Sequence, residues 1–308
     1  MRTPAIVLIV LAGMLVIGLL TAASAPLPAF NMLVAKDAGS KLLVADVAYG
    51  GLPRQKLDIY VPTARPAGRP LPVILFFYGG AWSSGDRGDY TFVGRALAAQ
   101  GFVVVIPDYR LVPGVRFPAF VEDAAASVRW VRTHIAAVAG GDPDRIIVSG
   151  HSAGAYNAAM LAVDPHWLGR DYSAIRGLIG LAGPYDFAPF DDPAAIAAFG
   201  QWHDIRETQP VAVAVRGAPP ALLASGDEDR RVRPRNSDAL TEVLTRLGSS
   251  VERRRYAGVD HVTILVDLAK PLRNRAPIFD DMIGFAHAVT GTSQEQKRSF
   301  LTERGTMP

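Results

Sequence analysis

The pentapeptide Gly150-His151-Ser152-Ala153-Gly154 joins a β-branched apolar run, "RIIVSG", to an alanine-rich stretch with helical character. G-x-S-x-G is the pattern of a nucleophile elbow. A strand turns into a helix so sharply that the serine hydroxyl projects from the sheet, and only small flanking residues leave room for that turn. The helix start behind Ser152 also supplies free N–H groups and a partial positive charge where an oxyanion would form. The competing role for Ser152 is that of a plain helix N-cap, which serine often fills.

A serine hydroxyl becomes a useful nucleophile when a base takes its proton. Elbow folds order the partners as serine, acid, histidine. Of the six histidines, His134 lies before the serine, His151 lies within the elbow, and His166 and His203 precede the expected acid. His287 sits among apolar residues in the last helical stretch, a packed position. His261, in "YAGVDHVTIL", follows the last strand in a short loop and is the chosen base. The acid belongs after the preceding strand, where "ALLASGDEDRRV" offers Asp227, Glu228 and Asp229. Asp227 follows the strand so closely that it can serve the turn. Asp229 lies further out, towards the histidine loop, and is chosen, with Asp227 as its competitor. The plainer alternative is a solvated cluster of these acids with the neighbouring arginines. The run "RRVRPR" (Arg230 to Arg235) is itself read as a solvated loop.

An oxyanion needs a second backbone donor besides the Ala153 N–H. In "FFYGGAWSSGDRGDY", Gly79 and Gly80 let a loop approach a reacting atom closely, and Gly80 and Ala81 are the expected donors.

These groups need a scaffold. "LVADVAYG" and "QKLDIYVP" have the pattern of two strands joined by the turn "GLPR". From "VILFFY" onward strands and helices alternate: "YTFVGRALAAQG", "FVVVIP", a long amphipathic helix from Pro118, "RIIVSG", the elbow helix, "GLIGLAG", "PALLASG", "RNSDALTEVLTRLG", "VERRRYAG" and "IFDDMIGFAHAVTG". This predicts an α/β fold with a mostly parallel eight-stranded sheet covered by helices on both faces. Residues 187–216 form a small cap insertion. In open α/β sheets functional groups gather beyond the carboxyl ends of the strands, where Gly80, Ser152, Asp229 and His261 all fall.

The chain has 308 residues, 49% of them hydrophobic, and a net charge of +3. That suffices for one large domain, placed at residues 42–291, after a linker at 26–41 and before a flexible tail at 292–308. No basic run is interleaved with aromatics, so nucleic acid is not an expected partner. With no cysteine, disulfides, thiolate metal sites and a cysteine nucleophile are excluded. His and Asp show no H-E-x-x-H spacing, and no metal or cofactor is expected.

Between Arg2 and Lys36 there is no charge, and Ala5 to Leu20 is unbroken apolar sequence extending to Ala25. That length can cross roughly 30 Å of hydrocarbon. Residues 1–25 therefore read as a membrane anchor or a signal peptide. "ASA" at Ala23 to Ala25 resembles a cleavage site, but Pro26 directly after it is a poor context and favours the anchor. Either way the remaining chain is expected on the extracytoplasmic side, periplasmic or extracellular, and secreted if the segment is cleaved.

Together "YGGAW", "PDYRL", "FPAFVEDAAASVRWV", "GHSAG", "GDEDRRV" and "GVDH" resemble the α/β-hydrolase superfamily, in the esterase/lipase branch that includes carboxylesterases and kynurenine formamidase-like enzymes. The resemblance covers about Leu42 to Gly291. It implies a Ser152-His261-Asp229 triad, because the family's G-x-x-D-x-x-V aligns Gly226, Asp229 and Val232. It implies hydrolysis of a small-molecule carboxylic ester through an acyl-enzyme. An amidase or formamidase with the same triad, and a membrane-tethered non-catalytic binding protein on this fold, are the alternatives. Where the family's oxyanion loop begins with His, this chain has Tyr78, and Ala81 replaces a third glycine, which leaves the support of that loop open. Asp108, Tyr109 and Arg110 are taken as structural.

Overall fold

The computed structural model describes residues 26–65 and 68–291. Strands β1 (Ser40–Ala48), β2 (Lys56–Pro62), β3 (Leu71–Phe77), β4 (Val103–Pro107), β5 (Gly141–His151), β6 (Ile175–Leu181), β7 (Ala221–Gly226) and β8 (Val251–Tyr256) form one sheet in the order β1-β2-β4-β3-β5-β6-β7-β8. β2 runs antiparallel to both β1 and β4, and the remaining pairs are parallel. β3, β4 and β7 are buried along their whole length, as expected of apolar runs covered on both faces. β1 and β8 form the edges, and the alternating "VERRRY" of β8 is half exposed.

The helices follow in chain order. They are α1 (Pro26–Leu33), α2 (Thr91–Ala98), α3 (Ala119–Ala139), α4 (Ala153–Val163), α5 (Pro193–Phe199), α6 (Pro210–Val213), α7 (Arg235–Arg246), α8 (Thr263–Val266) and α9 (Ile278–Val289). Every residue of α4 is buried, so the elbow helix is central rather than amphipathic. Its alanines and glycine let it lie close against the sheet. β3 pairs directly with β5, with Phe76 opposite Ser149 and Phe77 opposite Gly150. The loop after β3 and the elbow after β5 therefore emerge side by side at the carboxyl edge.

One boundary differs from the sequence reading. Residues 26–41 are not a plain linker: they contain α1 and the start of β1. Phe30 of α1 meets Phe92 edge-on at 5.3 Å. The Asn31 side chain donates to the Gly88 carbonyl at 2.8 Å and accepts from the Phe92 N–H at 3.1 Å. A lone eight-residue helix gives little periodic signal, and its docking is tertiary. The cap insertion, in turn, is held by aromatics. Phe199 stands edge-on to Trp82 at 4.7 Å, and Phe117 to Trp202 at 4.9 Å.

The anchor or signal segment (1–25) and the tail (292–308) lie outside the described residues. Among those described, no helix is long and apolar enough to cross a membrane.

Candidate active site

Ser152 sits at the junction of β5 and α4 with φ 55° and ψ −124°. This is a strained conformation for a residue with a Cβ, held by its surroundings. Its N–H donates to the Leu181 carbonyl at 2.9 Å, and its side chain makes no capping bond to the helix, which removes the N-cap reading. The small neighbours are required by space. A Cβ on Gly154 would lie 2.0 Å from the Phe77 carbonyl oxygen, and one on Gly150 would lie 2.4 Å from the Gly154 carbonyl.

The structure brings Ser152, His261 and Asp229 together from three loops. His261 Nε2 lies 2.9 Å from Ser152 Oγ, and His261 Nδ1 lies 2.8 Å from Asp229 Oδ2. A carboxylate only accepts, so the proton of the neutral imidazole resides on Nδ1 and leaves Nε2 free to accept from the serine hydroxyl. Asp229 is 3% exposed, and its other oxygen accepts from the Arg231 and Val232 N–H groups at 2.9 and 2.8 Å. Asp227 is exposed and elsewhere: its carboxylate accepts from the Gly258 N–H at 2.8 Å and ties the turns after β7 and β8 together. The turn carrying His261 is set by Asp260, which accepts from the Val262 and Thr263 N–H groups at 2.9 and 2.7 Å. Those bonds hold the Asp260 carboxyl below its ordinary pKa. The remaining histidines stand apart from this chain of bonds, apart from His151.

Gly80, Ala81 and Trp82 all have positive φ, at 135°, 50° and 55°. The Gly80 carbonyl accepts from the Ser83 and Ser84 N–H groups, both at 3.0 Å, so it is turned into its own loop. Among the described residues the Gly80, Ala81 and Ala153 N–H groups have no protein acceptor, and all three residues line the cavities beside Ser152.

Tyr78 answers the question of loop support. Its buried ring stacks on Tyr109 at 4.7 Å and on Tyr90 at 5.4 Å. Its hydroxyl donates to Asp108 at 2.8 Å and accepts from Arg54 at 2.6 Å, while Arg54 also holds the Gly85 carbonyl at 2.8 Å. Arg87 closes the network on Asp108 and Asp58. Burial pushes both the Tyr78 phenol and the Asp108 carboxyl above their ordinary values. The loop is thus pinned at both ends by Asp58 of β2 and by Arg54, Tyr78 and Asp108, which flank β2, β3 and β4.

His151 was not singled out by the sequence. Its Nε2–H donates to the His261 carbonyl at 2.8 Å, and the two rings lie 4.8 Å apart. Burial, and then the proximity of His261, lower its pKa to about 3, so it is a neutral clamp on the His261 backbone. Its Nδ1 is buried without a hydrogen-bond partner, facing Gly79. No signal in the sequence separates it from the other elbow residues.

Ser152 lies between two cavities. One, of about 630 Å³, is lined by Leu27 and Phe30 of α1, Tyr90, His151, His261 and Leu265. The other, of about 620 Å³, is lined by Trp82, Phe187, Asn236 and the arginines after Asp229. Among the described residues no cluster of His, Asp and Glu is arranged to hold a metal ion.

A mostly parallel sheet with a strained serine at a strand–helix elbow is the α/β-hydrolase fold of the esterase/lipase class. Within that class the chain belongs to the BD-FAE family, whose model matches residues 57–244. It is 34% identical over 236 residues to carboxylesterase NlhH of Mycobacterium tuberculosis, covering 67% of this chain and 70% of that one. It is 28% identical over 287 residues to isoprenylcysteine alpha-carbonyl methylesterase ICME of Arabidopsis thaliana, covering 85% of this chain. The chain spans 66% of the length of that relative, and 60% of esterase LipC of M. tuberculosis. Among solved structures, esterase B from Lactobacillus rhamnosis superposes with a TM-score of 0.74 at 20% identity, over 93% of this chain and 98% of that one. Esterase 2 of Thermogutta terrifontis, phosphoramylated by tabun, gives a TM-score of 0.69 at 22% identity, over 84% and 98%. At these identities the likeness concerns the fold.

Proposed function

We propose that the protein hydrolyses carboxylic esters through an acyl-enzyme on Ser152. The observation that carries this reading is the unbroken hydrogen-bond chain from buried Asp229 through His261 to the Ser152 hydroxyl. Its relatives named as carboxylesterases and methylesterases support the substrate class.

Ser152 Oγ bonds to the ester carbonyl carbon as His261 Nε2 takes its proton. Asp229 holds the imidazole in that tautomer and stabilises its charged form. The carbonyl oxygen becomes an oxyanion, received by the Gly80, Ala81 and Ala153 N–H groups. Collapse breaks the bond to the alcohol oxygen, which leaves with the proton from His261. Water then gives a proton to His261, attacks the acyl-serine and releases the acid, and the proton returns to Ser152. An ester and a water become an acid and an alcohol.

Residues 5–25, the apolar run ahead of α1, are proposed to hold this domain at a membrane on its extracytoplasmic side.

Purified protein is expected to cleave aryl esters of short and medium acyl chains, and an aryl formamide much more slowly. Faster turnover of the formamide would move the assignment to the amidase side. No turnover of any ester by folded protein would refute the hydrolase reading.

A further inference from the structure

Arg230, Arg231, Arg233 and Arg235 fall within six residues directly after the acid Asp229. Several other arginines are spoken for: Arg87, Arg110, Arg132, Arg253 and Arg273 all hold carboxylates. None of these four has an acidic partner among the described residues, and all four line the second cavity, which also touches Ser152 and Ala153. Asp191 and Asp192 line the same cavity. Asp192 already accepts from the Ala194 and Ala195 N–H groups at the start of α5. The lining of this cavity therefore holds four exposed arginines without an acidic partner and, in Asp191, one carboxylate without a hydrogen bond among the described residues. Unpaired guanidinium groups gathered on one wall of a cleft attract anions, and a planar guanidinium binds a carboxylate or phosphate in two-point fashion.

The position of the base tells which part of the substrate this wall meets. The leaving oxygen must come within hydrogen-bond reach of His261 to collect its proton. His261 lines the first cavity, walled by Leu27, Phe30 and Leu265, and not the second; of the four arginines, Arg231 lines both and Arg230, Arg233 and Arg235 line the second alone. The alcohol accordingly occupies the apolar side, and the acyl group extends past Ala153 towards the arginines.

We infer that the acyl part of the substrate carries an anionic group, bound by the arginine wall of Arg230, Arg231, Arg233 and Arg235. This rests on the ester-hydrolase reading above. Arg231 is also close enough to contribute to the lowered pKa of His151, consistent with its charge lying near the site.

The test compares an aryl monoester of glutaric acid, which has a free carboxylate, with the aryl ester of valeric acid, its neutral counterpart of similar length. The wild type is expected to show a kcat/KM about tenfold higher for the glutarate monoester, through KM, and high salt is expected to erode that preference. Arg233→Gln and Arg235→Gln should each lower the ratio of the two substrates, and Arg→Lys at either position should restore part of it. A wild type that prefers the neutral ester, or a ratio unmoved by both glutamine variants, would overturn the inference while leaving ester hydrolysis standing. Turnover of neither ester, alongside turnover of other aryl esters, would overturn this inference alone; turnover of no ester at all would overturn the hydrolase reading and this inference with it.

Discussion

Asp229 and Asp227 are two residues apart and do different work. Asp229 is buried against His261 and receives two backbone N–H groups, whereas Asp227 is exposed and fastens a turn. Asp229→Asn would favour the wrong imidazole tautomer and is expected to lower kcat by about 10⁴, by analogy with the serine-protease triad. Asp227→Asn is expected to leave kcat within about tenfold, since a lost turn bond costs only about 1 kcal/mol. Steady-state kinetics on both folded variants check this, and the reverse ranking would reassign the acid. His151 makes a second claim at this scale. Its folded pKa is about 3 against an ordinary 6.5. Above pH 6.5 neither state takes up a proton there. Below it the unfolded chain does and the native protein does not, so stability falls by up to roughly 1.4 kcal/mol per pH unit until about pH 3. Urea midpoints between pH 7 and 4.5 should fall less steeply for His151→Gln than for the wild type. Equal slopes would mean that the buried imidazole is not held neutral. That Ser152, His261 and an acid near Asp229 should meet was visible in the sequence because elbow chemistry fixes residue type and order. The role of His151 was not, because it depends on a carbonyl brought 110 positions along the chain.

At the scale of elements, the site depends on two loops leaving neighbouring parallel strands. The elbow after β5 can form because Gly154 packs directly on the backbone after β3. The loop after β3 keeps its shape because Tyr78 is bonded to Asp108 and Arg54. Tyr78→Phe keeps the stacked ring but removes the hydroxyl between a buried carboxylate and a guanidinium. It should destabilise the fold by about 1–3 kcal/mol. It should also lower kcat more than it raises KM, because the donors to the oxyanion are displaced. A variant with wild-type stability and wild-type kcat would show that the loop is held by other means. The strand–helix alternation from Val73 onward was legible as long apolar runs and amphipathic stretches. Helix α1 was not, because eight residues ahead of a strand carry little periodicity and its packing on Phe92 and Gly88 is decided elsewhere in the chain.

For the whole molecule, one sheet carries Ser152, His261 and Asp229, the proposed nucleophile, base and acid, at a single edge, with α1 closing the apolar side of the cleft. The proposed membrane segment directly precedes α1, whose Leu27 and Phe30 line the first cavity. Full-length protein is expected in the membrane fraction, with its domain open to external protease. Mature soluble protein beginning near Pro26 would replace the anchor with a cleaved signal. Intact protein soluble in the cytoplasm would defeat both. The central claim is that Ser152, activated by His261, is the nucleophile. Its most direct test is labelling by a serine-reactive aryl phosphonate, read by peptide mass. The account predicts one adduct, on Ser152, in the wild type. It predicts none in folded Ser152→Ala and far slower labelling in His261→Ala, which lacks the base. Labelling of a different serine in folded Ser152→Ala, with ester hydrolysis retained, would contradict it.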